Sequence, residues 1–378
     1  MRKALTFDLR AYGLIIALAF IALLFTVLTD GDFLSSRNLS NLFRQMSVIS
    51  ILAIGMTLVI ITGHIDLSVG SLVGLAGGMA AILQVWYGWD TVSVLLLTLL
   101  AGLLLGAWQG WWVAYRGVPS FIVTLGGMLI FRGILIGISK GETVAPLKES
   151  FQRIGQSYLP YAAGYILAGI AVFLLFFLTA LKRKKRRKWG LKLEHPVVSY
   201  GKMAGYSVLI LAFVYMMNRY LGIPVPILFV LFLLLIFGFV LNRTRFGRYL
   251  YAIGGNSEAA RYSGINVKRH IFAVFVIMGL LSSLAGLILT ARLNAATVGA
   301  GQMFELDAIA ACVIGGTSLK GGTGSVTGSI IGALVMVSLD NGMSMLDIDP
   351  FWQYIVKGLI LILAVWWDLS SDAGRERS

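Results

Sequence analysis

The sequence predicts an all-α, polytopic integral membrane protein, a bundle of about ten to twelve transmembrane helices forming one domain over residues 1–378. Three observations carry that expectation. Of 378 residues, 58% are hydrophobic and only 13% charged, a balance that excludes a soluble globular chain. The apolar residues come in repeated runs near the ~20 positions that a helix needs to cross a bilayer. The net charge of +14 is also unevenly shared between alternate connections, as it is in membrane proteins of fixed orientation.

Taken in order, the runs justify themselves by length and by what flanks them. Ala11–Leu28 is followed by Thr29-Asp30-Gly31 with no small-residue cleavage site, so it reads as a retained helix and not a removed signal peptide. Met46–Thr62, Leu67–Tyr87, Thr91–Tyr115 and Phe121–Ile138 follow. Gly102, Gly106 and Gly110 share one face of the fourth run, and Gly133 and Gly137 one face of the fifth. In lipid, apolar burial gives helices little reason to associate, so close backbone approach over such faces supplies the packing. Tyr161–Leu181 and Met203–Met217 flank Lys182–Lys188, seven consecutive basic residues that read as an anchor on anionic lipid rather than a nucleic-acid patch. Pro226–Leu241 and Ile271–Ala291 flank a long polar segment. Ala308–Leu319 and Ser325–Leu339 are short, so the region around Gly321-Gly322 predicts either two spans or a re-entrant hairpin, with Gly324, Gly328 and Gly332 on one face. Trp352–Trp367 closes the series. Trp86, Tyr87, Trp89, Trp108, Trp111, Trp112, Trp352, Trp366 and Trp367 cluster near span ends, as interfacial belts do.

Orientation follows from charge. With a cytoplasmic N-terminus and twelve alternating spans, 22 of the 31 Lys/Arg fall inside and 7 outside, leaving Arg132 and Lys357 within spans. The acids run the other way, 7 inside and 10 outside. The positive-inside rule then places both termini in the cytoplasm.

Several chemistries are missing. Cys312 is the only cysteine and lies in an apolar run, so disulfides and cysteine-rich metal sites are excluded. No G-x4-G-K-[ST] occurs, so the chain does not hydrolyse ATP by that route, and no H-E-x-x-H occurs either. His64, His195 and His270 are too scattered for a metal site. Gly137-Ile138-Ser139-Lys140-Gly141 matches G-x-S-x-G by letter only, because it closes an apolar helix. No convergent nucleophile and base appear, so no catalytic residue, resident cofactor or metal is expected. Charges inside lipid are costly and must face a partner or a wet cavity. For Arg132 the plain reading is an ion pair or a backbone bond, and for Lys357 interior pairing or snorkelling. Asp66, Asp307 and Asp340 are placed at helix ends, which speaks against proton coupling.

The most informative stretch is Asn242–His270. It carries six Lys/Arg against a single acid, Glu258, between two long apolar runs. Gly254-Gly255-Asn256 offers a turn, Asn256 or Ser257 can cap a short helix through Glu258, Ala259 and Ala260, and Gly264 can stop it. Such an element suits docking of a soluble partner; an ordinary orienting loop is the alternative.

At this point the residues resemble a known family. IDLSVGS (Ile65–Ser71), the stretch Leu104–Ile138, YAIGGNSEAARYSGINV (Tyr251–Val267), ELDAIAACVIGGTSLKGGTGSV (Glu305–Val326) and SLDNGMSM (Ser338–Met345) are similar to permease subunits of bacterial ATP-binding-cassette (ABC) monosaccharide importers, nearest the D-xylose type. The resemblance covers nearly the whole length. It implies a type II importer permease, a ten-helix core plus a two-helix insertion over residues 161–222, in the bacterial inner membrane. It also implies a second permease copy, a soluble or lipid-anchored sugar-binding protein outside, and an ATPase subunit in the cytoplasm that uses ATP and Mg²⁺. No nucleic-acid partner is implied. Gly254, Gly255, Asn256, Glu258, Ala259, Ala260, Arg261 and Gly264 match the family's coupling segment, within a coupling loop at 242–270. His64 departs from the Gly or Glu of other members and is discounted as a proton carrier. Asp66, Ser68, Arg132 and Asn341 are the candidates for the translocation path. Because no span carries a dense set of sugar-binding polar groups, the permease is expected to bind free sugar weakly. The alternatives are another sugar, such as ribose or galactose, or a secondary carrier needing no ATPase.

Overall fold

The computed structural model describes residues 9–191 and 195–375. The chain termini, assigned above to the cytoplasm, and residues 192–194 of the expected insertion lie outside the described residues. In order, the helices are α1 (Leu9–Leu28), α2 (Ser36–Ile61), α3 (Val69–Val85), α4 (Thr91–Ala114), α5 (Ser120–Ser139), α6 (Glu149–Gln156), α7 (Tyr161–Lys188) and α8 (Pro196–Asn218). Then come α9 (Val225–Arg243), α10 (Arg245–Gly255), α11 (Ser257–Tyr262), α12 (Val267–Leu293), α13 (Phe304–Ile314), α14 (Val326–Met345) and α15 (Pro350–Arg375).

Local chemistry sets many of the boundaries. Ser35, Asp90 and Ser325 each accept a hydrogen bond from a first-turn amide of α2, α4 and α14, at 3.2, 2.9 and 3.3 Å. Pro196 sits at the start of α8, where a missing N–H costs nothing. Lys140 and Asn294 end α5 and α12 in the left-handed conformation, φ 54° and 56°.

Among the described residues, eight helices are long and apolar enough to cross a membrane, and three shorter apolar ones accompany them. The most apolar stretch of α2 is 89% buried and those of α12 and α14 are 67% buried, against 11% for α7 and 22% for α4, α5 and α9. The centre is therefore α2, α12 and α14 with the shorter α3 and α13, which are buried along most of their length, whereas outer helices such as α7 and α9 turn apolar side chains such as Ile166, Phe173 and Leu235 outward, where lipid would cover them. The region around Gly321-Gly322 matches neither alternative in full. Helix α14 is span-length at 20 residues, whereas α13 has only 11 and is preceded by an irregular stretch. That stretch is mostly half-buried, with Ala296 and Gly301 buried and Gly299 and Gln302 exposed.

The glycine faces explain how α4 meets α12. A methyl group on Gly279 would overlap the Gly102 carbonyl and crowd Gly106, so the two backbones touch there. Gly328 and Gly332 likewise meet Gly315 and Ala311 across α13 and α14. The fifth-run pair behaves differently: Gly133 and Gly137 face open space, and their spacing packs nothing within the chain. Helices α7 and α8 lean on each other through Ala168, Val214 and Met217, with Leu39 and Phe43 alongside.

Chain direction fixes which features share an end. Val225 at the start of α9 donates to the Ser157 carbonyl (2.9 Å), and Tyr161 at the start of α7 donates through its hydroxyl to the Tyr220 carbonyl (3.0 Å). The two helices start together and run the same way. The basic run Lys182–Lys188 and α10–α11 therefore lie at one end, and Tyr158, Tyr220 and the beginning of α2 at the other.

Candidate functional site

Two arrangements stand out, one at the basic end and one in the interior. At the basic end the polar segment is more ordered than a loop. Arg245–Gly255 is helical, with the Thr244 hydroxyl accepting from the Gly247 amide at 3.3 Å. After a break at Asn256, α11 follows, capped by the Asn256 side chain accepting from the Ala259 amide at 2.9 Å. Gly264 leaves the helix at φ +83°, so the capped and stopped helix expected here is present. Glu258, Ala259, Arg261 and Gly255 are exposed, while Ala260 is 4% exposed and ties the helix down. Arg243, Arg245, Arg248, Lys268 and Arg269 are exposed around them.

Gly254 is the junction. A methyl there would overlap the Ile61 carbonyl and crowd the Gly322 amide, and that amide donates to the same Ile61 carbonyl at 2.9 Å. Tyr251 adds a hydroxyl bond to the Gly324 carbonyl at 2.9 Å. Three backbones thus meet without side chains between them: the end of α2, the break between α10 and α11, and the turn between α13 and α14. A cavity of about 570 Å³ opens beside the junction, lined by Gly63, His64, Gly254, Asn256, Glu258 and Ile271. Burial lowers the His64 pKa below its ordinary value by disfavouring the charged imidazolium. Tyr262 was not among the sequence candidates, yet at 81% exposed it ends α11 with the Arg261 guanidinium 5.5 Å from its ring. Tyrosine and arginine are both enriched among the residues that anchor partners. Its only sequence signal is its place next to the cap motif.

In the interior, Asp66 and Ser68 precede α3. The Asp66 carboxylate accepts from the Ser68 amide (2.9 Å) and hydroxyl (2.6 Å), and Gln109 of α4 donates to the Ser68 hydroxyl (2.8 Å). Asp66 and Ser68 are 2% and 0% exposed, so this break in the helical ladder is satisfied by side chains rather than by water. Arg132 of α5 donates through Nη1 to the carbonyls of Val298 and Ala300, the latter at 3.0 Å. Of its two sequence readings the backbone bond holds, and it fixes the irregular stretch before α13. The Gly301 carbonyl of that stretch and the Glu305 carboxylate at the start of α13 leave no room for a methyl on Gly70 at the start of α3, so the two breaks face each other.

Lys357 of α15 pairs with Asp307 at 3.1 Å and Asp340 at 2.7 Å, so interior pairing, not snorkelling, is what it does. Asp340 departs from its expected place at a helix end. Helix α14 runs on to Met345, leaving Asp340 inside it, because the ion pair makes the charge tolerable there. Asn341 stands apart from Asp66, Ser68 and Arg132: its Oδ1 accepts from Asn38 at 2.8 Å, at the beginning of α2. The four path candidates therefore fall into an interior group and one residue at the far end. Among the described residues, no group of three or more His, Cys, Asp or Glu could hold a metal ion.

Known proteins resemble the chain over nearly its whole length. The family model described as "Branched-chain amino acid transport system / permease component" matches residues 38–365. The chain is 54% identical over 361 residues to the xylose transport system permease protein XylH of Escherichia coli (strain K12), covering 96% of this chain and 92% of that one. It is 54% identical over 372 residues to the protein of the same name from Haemophilus influenzae, covering 98% and 99%. Against the ribose import permease protein RbsC of Bacillus subtilis (strain 168) it is 33% identical over 356 residues, covering 94% and 91%. No solved structure matches the chain.

Proposed function

The chain belongs to the family of branched-chain amino acid transport system permease components, and from that premise we propose that it is the membrane permease of an ATP-driven importer of D-xylose. The observation that carries the sugar is the gap in identity, 54% to two xylose permeases against 33% and 36% to ribose permeases, at near-equal coverage. The permease acts with a second copy of itself, a sugar-binding protein outside and an ATPase inside. The ATPase docks on α10–α11, where Glu258, Arg261 and Tyr262 are the exposed handles. The junction at Gly254 joins that docking surface to the end of α2, which leads to the buried break at Asp66–Ser68, and to the turn between α13 and α14. Alternating access then needs only that motion at the docking helices shift those segments, and no chemistry occurs in this chain.

Uptake of labelled D-xylose into vesicles decides the matter. With the ATPase, loaded binding protein and ATP supplied, uptake is expected; with the permease alone under a proton gradient, none is. Uptake without an ATPase would sink the reading in favour of a secondary carrier. Uptake of ribose or galactose in place of xylose would change the sugar and keep the machine.

The basic end faces the cytoplasm in this reading, and both termini with it. Cys312 is fully buried and should not react, so a single Lys185→Cys label reports on that end alone. Lys185→Cys is expected to resist impermeant thiol reagents in intact cells and to react after permeabilisation. Labelling in intact cells would invert the orientation.

A further inference from the structure

At the end of the bundle opposite the docking helices, the start of α2 and two connections enclose a cavity of about 510 Å³, lined by Arg37, Asn38, Asn41, Arg44, Tyr158 and Tyr220. Four of these come from the first turns of α2, where steps of three and four residues put them on neighbouring faces. Ser35 caps that helix. Tyr158 and Tyr220 arrive from the segments before α7 and before α9, which pair through Leu159 and Ile223 (2.8 Å).

The lining is held in place by its own contacts. Arg44 donates to the Tyr158 hydroxyl at 3.3 Å and its guanidinium lies 5.8 Å from that ring, while Tyr220 stands edge-on to Tyr158 at 6.3 Å. Asn38 donates to the Phe33 carbonyl (2.9 Å) and to Asn341 (2.8 Å). Arg44 Nε is buried without a hydrogen-bond partner. Arg37 and Asn41 are exposed and have no protein partner for their side chains among the described residues' hydrogen bonds.

That set suits a neutral polyhydroxylated ring. Amides donate and accept, guanidiniums donate, and tyrosine rings offer flat apolar faces beside a hydroxyl. The volume falls within the ~300–1,000 Å³ of small-molecule sites. An anion site would want several free cations, but Arg44 is engaged by Tyr158 and Asp32 stands on the rim.

We propose that this cavity is the receiving site for the sugar, holding a pentose weakly as it passes from the outer face toward the interior. The proposal rests on the xylose-permease reading and adds to it a place and a set of residues. Asn341 acts as a positioning residue, holding Asn38 from α14.

The test uses the complete transporter in vesicles, comparing the wild type with Arg37→Leu, Asn41→Leu and the double variant. D-xylose taken up per ATP hydrolysed is expected to fall about tenfold in the double variant, with hydrolysis stimulated by loaded binding protein within about twofold of wild type. The single variants, both at exposed positions, guard against a double that fails to assemble. Unchanged uptake per ATP would overturn the proposal. Parallel loss of uptake and stimulated hydrolysis would also overturn it, assigning the surface to docking of the binding protein. Absence of D-xylose uptake by the wild type would instead refute the functional reading, and the pentose site with it.

Discussion

Replacing Gly254 with alanine is expected to lower sugar-coupled ATP hydrolysis by about tenfold or more, equivalent to roughly 1.4 kcal/mol, while the protein still reaches the membrane. The reason is geometric. The added methyl would overlap the Ile61 carbonyl and crowd the Gly322 amide, and both are backbone groups that cannot rotate away. Overpacking of this kind costs about 1–3 kcal/mol and is relieved by moving one backbone off another. The element free to move is α10–α11, which is short and exposed on its outer face. Under the proposed role of that element, the variant separates the docking surface from α2 and α14 without touching any exposed handle. Gly238→Ala on α9 is the control, since a methyl there meets nothing within 4 Å. A milder probe is Tyr251→Phe, which removes only the bond to the Gly324 carbonyl and should give a partial loss. Coupled hydrolysis at the wild-type level in Gly254→Ala would show that the junction does not transmit.

Much of this architecture is legible in the sequence, and the parts that are not share a physical cause. Runs of apolar residues place the spans because lipid imposes one solvent along their whole length, and local capping predicts α11 because Asn256 and Gly264 act within a few residues. Arg132 can be marked as a buried charge, but its partners are the carbonyls of Val298 and Ala300, more than 160 positions away, and carbonyls carry no sequence signal. The cavity at the start of α2 is invisible for the same reason. Its residues are separate polar letters at 37–44, 158 and 220, so no single span shows the cluster that a sugar site needs. The glycine stripe at Gly133 and Gly137 is the reverse case. It has the spacing of a packing face yet no neighbour, because periodicity states which residues share a face and not what that face meets.

The ion cluster on α13, α14 and α15 yields the second large effect. Lys357→Met is expected to lower the thermal midpoint of the detergent-purified protein by roughly 5 °C or more, the scale of a 3–5 kcal/mol loss. One ammonium serves two carboxylates, at 3.1 and 2.7 Å, and the Asp307 and Lys357 side chains are only 4% and 19% exposed. The Oδ1 atoms of Asp307 and Asp340 already lack hydrogen-bond partners, so no spare donor can replace the lysine. Removing it leaves two acidic groups side by side in an apolar setting, and either charge repulsion or protonation must follow. Neutralising the acids as well should reverse most of the damage: Lys357→Met combined with Asp307→Asn and Asp340→Asn leaves no unpaired charge. Midpoints that fall in the single variant and recover in the triple would show that charge pairing, rather than the packing of the lysine stem, holds α15 to the bundle. An unchanged midpoint in Lys357→Met would mean that α15 is held by its apolar contacts alone, and continued loss in the triple variant would point to packing.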